Sequence, residues 1–75
     1  MVEYHIEYQY RNKRGYLGGR EITKYTLESA RAELIKLLDK MKAGDSNAPI
    51  SIPHITKLVD GDAKLVDIKS EFNIE

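Results

Sequence analysis

Residues 2–11 read Val-Glu-Tyr-His-Ile-Glu-Tyr-Gln-Tyr-Arg, and no other stretch constrains the fold of this chain as tightly. Val2, Tyr4, Ile6, Tyr8 and Tyr10 alternate with Glu3, His5, Glu7, Gln9 and Arg11. Successive side chains of a strand point to opposite faces, so this order makes one apolar face and one polar face; wound into a helix, the same residues would scatter round the axis. The segment is therefore expected to be a half-buried strand. Tyr4, Tyr8 and Tyr10 share the side of Val2 and Ile6 and are expected to serve the core, with hydroxyls reaching its rim.

Asn12-Lys13-Arg14-Gly15 reads as the turn that follows, with Gly15 supplying a positive φ. Tyr16-Leu17 resumes the strand, Gly18-Gly19 suggests a bulge or a longer hairpin loop, and Arg20–Tyr25 is the expected return strand. Thr26 is a good N-cap. Behind it Leu27, Ala30, Leu34, Leu37, Leu38 and Met41 recur at spacings of three and four, with Ile35 on the shoulder of the stripe. Lys40 and Lys42 suit the negative end of a helix and Gly44 its stop, so a helix is expected over 27–43.

Residues 45–49 form a linker by composition, and 50–59 are ambiguous. Ile52, Ile55 and Leu58 also fit a short helix opened by Pro53, but proline's lack of a backbone donor favours an edge strand beginning near residue 54. Asp60-Gly61 is a hairpin turn signal. Val66, Ile68, Phe72 and Ile74 share one parity, which predicts a last strand from about Lys64 to Ile68 or beyond. The expected fold is α+β: a small antiparallel sheet in the order β-β-α-β-β, with one amphipathic helix packed on one face. At 75 residues the chain holds a single domain, over residues 1–75.

Composition removes several function classes. The absence of cysteine excludes disulfides, Cys-ligated metals and thiol catalysis. Twelve Lys+Arg balance twelve Asp+Glu, so no net field draws the chain to nucleic acid or an anionic membrane. No apolar run approaches the length of a membrane span and no leader pattern opens the chain, so the expected location is cytoplasmic. His5 and His54 stand alone on their segments, and no serine lies in a nucleophile motif. Asp60-Gly61-Asp62 mimics the start of a calcium loop, yet Lys64 and Leu65 occupy positions that need an oxygen ligand and a glycine. Gly15, Gly18 and Gly19 precede no Gly-Lys-Ser/Thr. No enzyme activity, cofactor or metal is expected.

The charge is nevertheless polarised along the chain. Arg11, Lys13, Arg14, Arg20 and Lys24 oppose the single acid Glu21, whereas residues 59–75 carry five acids against Lys64 and Lys69. A basic hairpin beside Tyr10 and Tyr16 suits phosphate contacts with aromatic stacking; a solvated turn that blunts a sheet edge is the ordinary alternative. Tyr8-Gln9-Tyr10-Arg11-Asn12-Lys13-Arg14-Gly15, a return strand and Thr26-Leu27-Glu28-Ser29-Ala30 opening a helix resemble, at the level of pattern, the arm-type DNA-binding domain of many tyrosine recombinases. That resemblance implies a hairpin sheet laid in a DNA groove. In its size, lack of cysteine and charge density the chain is also similar to small accessory proteins of phages and mobile elements, including inhibitors of host defence.

Two readings follow. The leading one is a non-enzymatic module that binds another protein through its open sheet face, an edge or the charged hairpin, with a second copy of the chain as one candidate partner. The alternative is a nucleic-acid-binding module using Arg11, Lys13, Arg14, Arg20 and Lys24, with Tyr16 or Tyr10 stacking.

Overall fold

The computed structural model describes residues 1–74 of the chain. Strand β1 (Val2–Arg11) pairs antiparallel with β2 (Leu17–Lys24) on one side and with β3 (His54–Val59) on the other. Helix α1 (Leu27–Ala43) connects β2 to a linker, β4 (Asp62–Leu65) pairs with β3, and a one-turn helix α2 (Ile68–Glu71) follows. The sheet order is β2-β1-β3-β4. The expected α+β arrangement is therefore present, with a short second helix added.

Local chemistry accounts for each connection. Between β1 and β2, the Gly15 N–H donates to Asn12 O at 2.9 Å and Gly15 sits at φ 88°, the geometry of a tight turn closed by a left-handed glycine. Asn12 Oδ1 accepts from the N–H groups of Arg14 and Tyr16 at 2.9 and 3.0 Å. Thr26 caps α1 by accepting from the Ser29 N–H at 3.1 Å. At the other end Gly44 is left-handed at φ 70°, and the N–H groups of Gly44 and Asp45 return to Met41 O and Lys40 O, which satisfies two orphan carbonyls. Asp60 and Gly61 both have positive φ, as a two-residue hairpin turn requires.

Tyr4, Ile6 and Tyr8 of β1 are buried against Ala30, Leu34 and Leu37 of α1 and Ile55 of β3. Tyr10 is half-buried beside them, so all three tyrosines serve the core as their parity implies. Removing apolar area of this kind from water contributes about 25 cal/mol per Å² and is the main favourable term for so short a chain.

Three expectations need correction. Gly18 and Gly19 make no bulge: they pair in register with Tyr10 and Gln9, and β2 begins at Leu17 rather than Arg20. A Cβ on Gly18 would come within 2.6 Å of the Tyr10 ring, so this glycine lets an aromatic side chain lie flat across the neighbouring strand. Strand β3 begins at His54 as expected but is an inner strand, because Pro53 precedes the ladder and removes no hydrogen bond from it. The last strand ends at Leu65. The Val66 N–H still donates to Ile55 O at 2.8 Å, but Asp67 then caps α2 by accepting from the Lys69 N–H, and the chain turns under the sheet.

That turn explains the parity of the C-terminal apolar residues differently. Val66 and Phe72 are buried and Ile68 and Ile74 half-buried, all packed on the same core as α1. The Phe72 ring lies 5.9 Å from that of Tyr4, and Arg31 Nε on α1 donates to Phe72 O at 2.6 Å. A domain of this length has a total stability of only about 4 to 11 kcal/mol. Phe72→Ala is expected to cost about 3–5 kcal/mol in a urea denaturation series, and a loss below 1 kcal/mol would mean that the C-terminal turn does not close the core. Gly18→Ala should cost about 1 kcal/mol and displace the Tyr10 ring, which shifted Tyr10 side-chain resonances in an NMR spectrum would report.

Candidate interaction surface: the open face of the sheet

Both helices lie on one side of the sheet, so strand register decides what the other side shows. Pairing of His5 with Thr23 and Thr56, and of Glu7 with Glu21 and His54, places these residues together on the uncovered face. Glu3 pairs there with Leu58, and Leu58 with Ala63; Thr56 pairs with Leu65. Gln9 faces Gly19 and Arg11 faces Leu17 at the hairpin end.

Charge and apolar surface are mixed on this face. Leu65 is 75% exposed and Leu17 58% exposed, which water tolerates singly but which folding does not require. Glu3, Glu7 and Glu21 surround His5, and among the described residues no lysine or arginine pairs with any of the three. His5 Nδ1 lies 2.7 Å from Glu21 Oε1, and since a carboxylate only accepts, Nδ1 carries the proton of that bond. Its Nε2 is buried without a hydrogen-bond partner, with Glu3 Oε1 at 3.8 Å.

At Gly19 the face is hollowed into an open groove of about 620 Å³, lined by Glu7, Tyr8, Gln9, Arg20, Glu21, Ser51, Ile52 and His54. Gly19 has an ordinary strand φ, and a Cβ there would meet nothing within 4 Å. Backbone geometry does not demand this glycine, and a strand interior disfavours it. The linker forms the far wall: the Ile50 N–H donates to Gln9 O at 2.9 Å and Pro49 bridges to Tyr10, strapping 47–50 along β1 just ahead of the start of β3.

The six residues singled out from the sequence do not form one patch. Arg11, Lys13 and Arg14 gather at the hairpin tip with Tyr16, which is 68% exposed. There Arg11 Nη1 donates to Gly15 O at 3.0 Å, which holds the guanidinium over the turn. Arg20 and Lys24 pair with Tyr8 and Tyr4 and so face the helix side of the sheet. Tyr10 is engaged with Gly18 and Tyr8, which leaves Tyr16 as the free aromatic of the tip. Parity in β1 already assigned Glu3, His5, Glu7, Gln9 and Arg11 to the open face. Glu21, His54, Leu58 and Leu65 join them only through register, which no local pattern reveals.

Among the described residues, no cluster of His, Asp and Glu is arranged to hold a metal, and no helix is long and apolar enough to cross a membrane.

The hydrogen bond from His5 holds the Glu21 carboxyl below its ordinary value of 4.5; loss of hydration, the next largest effect, opposes it, and the adjoining Glu7 side chain and the charge of His5 add lesser effects in the lowering direction. A carboxyl lowered by folding contributes stability that is complete above its unfolded value and lost as pH falls through the folded one. Stability should therefore fall below pH 4.5, and Glu21→Gln should flatten that acid limb in denaturation midpoints measured against pH. Identical limbs in the two proteins would show that the bond adds nothing in solution.

Compared with models of protein families, with curated proteins and with solved structures, the chain matches none.

Proposed function

We propose that this protein is a non-enzymatic binding module whose open sheet face docks another protein. The observation that carries the reading is the groove at Gly19. A glycine there costs strand stability, relieves no contact, and leaves a hollow between two carboxylates that, among the described residues, make no ion pair with lysine or arginine. Glycine in a strand without local need is often where a ligand or another backbone approaches closely. Exposed Leu17 and Leu65 add apolar contact on the same face, and the carboxylates of Glu7 and Glu21, for which His5 is the one basic partner among the described residues, favour a partner that is itself basic at its rim. A small accessory or inhibitor protein of the phage and mobile-element kind acts by such contacts.

A second reading has its own observation. Arg11, Lys13, Arg14 and the exposed Tyr16 converge on the tip of a hairpin that runs beyond β3, and a two-stranded ribbon fits a major groove. Arg20 and Lys24 on the opposite face weaken it, since three cations supply few phosphate contacts.

One variant separates folding from binding. Gly19→Val puts a branched side chain on the groove floor while improving strand propensity, so it should raise stability by about 0.5–1 kcal/mol and yet lose partners that the wild-type chain retains from nuclease-treated lysate. Lys13→Glu with Arg14→Glu should leave that retention intact. Partners kept by Gly19→Val and lost from the hairpin variant would overturn the open-face reading. In anisotropy titrations with duplex and single-stranded oligonucleotides, micromolar binding with a steep salt slope, abolished in the hairpin variant, would establish the nucleic-acid reading instead.

A further inference from the structure

The flank of α1 is written in a self-complementary charge code. Glu28, Arg31, Ile35, Asp39 and Lys42 follow one another at spacings of three, four, four and three. At 100° per residue they lie within about 80° of the helix circumference, roughly a third of a turn round from the buried stripe of Ala30, Leu34 and Leu37. Their order is acid, base, apolar, acid, base, symmetric in spacing about Ile35. Laid against itself in reverse, this row pairs every charge with its opposite; laid parallel, it opposes like charges.

The structure leaves this flank free. Glu28, Arg31, Asp39 and Lys42 are exposed, and among the described residues none makes a salt bridge within the chain. Ile35 and Leu38 are only half-buried, and they form one wall of an open groove of about 440 Å³ between α1 and the C-terminal turn. Ile68 and Ile74 form the opposite wall, and Ile52, 57% exposed, also lines it. Arg31 spans the groove from α1, its Nε held by Phe72 O and its terminal guanidinium nitrogens without a protein partner among the described residues.

We propose that the occupant of this groove is α1 of a second copy of the chain, running antiparallel about a two-fold axis at Ile35. Arg31 then faces Asp39 of the second copy, and Glu28 faces Lys42 of the second copy, each twice by symmetry. Ile35 meets its own counterpart, and Leu38 packs beside it against the stem of the other arginine, as the self-complementary patch of a two-fold interface requires. The charges lie at the rim, where they set orientation and register more than affinity. The dimer does not depend on the open-face reading. It leaves both open faces outward, because α1 lies on the opposite side of each sheet.

The test is sedimentation velocity on the full chain over roughly 10 µM to 1 mM, the range suited to a small interface, at low and high salt. Wild type should shift from monomer to dimer across this range, and salt should weaken the shift by screening the rim pairs. Glu28→Lys with Asp39→Lys makes the flank wholly basic, and Arg31→Glu with Lys42→Glu makes it wholly acidic. Each should stay monomeric alone, with at least about a tenfold weaker association, and the two mixed should form a heterodimer. Circular dichroism checks that each is folded. If loss of the Arg31–Phe72 bond unfolds the acidic chain, Lys42→Glu alone, which breaks no hydrogen bond of the fold, takes its place. A wild-type chain that is monomeric throughout overturns the proposal, as does a dimer that persists in the basic variant or a mixture that fails to associate.

Discussion

Everything in this fold leans on β1, the longest strand and one of the two inner strands of the sheet. Its apolar side supplies Tyr4, Ile6 and Tyr8 to the core, and β2, β3 and the strap at 47–50 all hydrogen-bond to its backbone. A strand so placed has no freedom of register. A slip of one residue would turn three carboxylates or amides into the core and expose the tyrosines. Because α1 docks on the tyrosine side, the polar side must remain open, and the groove at Gly19 is a consequence of that choice.

The helical layer is thin for the sheet it covers. A 17-residue helix lies beside a helix of a single turn, and the second layer is completed by Val66, Phe72 and Ile74 rather than by another long element. This economy keeps a short chain folded but leaves an apolar cleft between α1 and the C-terminal turn. The molecule thus has two unlike unoccupied surfaces. One is a flat face rich in carboxylates, the other an apolar trough with alternating charges on its rim, and their chemistry suits different partners.

The two surfaces also differ in how they meet water. His5 is held under Glu3 and Glu21 with Nε2 lacking a partner, so the open face contains a polar atom for which folding finds no complement. Unsatisfied buried polar atoms are uncommon in folded proteins. Among the described residues the trough carries no such atom; its cost is half-exposed isoleucine and leucine. A partner would relieve each surface by a different route, hydrogen bonding and charge neutralisation for the first and burial for the second.

Local sequence was sufficient wherever one residue or one period carried the information. The alternation of residues 2–11, the Thr26 cap, the Gly44 stop and the Asp60-Gly61 turn each act through bonds within a few residues, so each was legible without the fold. The parity of β1 likewise assigned Glu3, His5, Glu7, Gln9 and Arg11 to the face that stayed open. What failed depended on distant neighbours. Gly18 reads as a strand break until Tyr10 is found lying across it; Pro53 reads as an edge signal, yet the strand that begins after it at His54 is an inner one, with β4 on its other side. Val66, Ile68, Phe72 and Ile74 keep strand parity, yet Asp67 starts a helix that lets Phe72 reach Tyr4. The cations of residues 11–24 look like one patch because sequence counts charge along a line, while the pleat sends Arg20 and Lys24 to the side opposite Arg11. Sequence alone determined the elements whose signals are local, β1, α1 and the Asp60-Gly61 turn, because those rest on nearby hydrogen bonds and periodicity; only the tertiary structure decided the C-terminal helix and which residues meet, because register and layer packing are set by contacts between segments far apart in the chain.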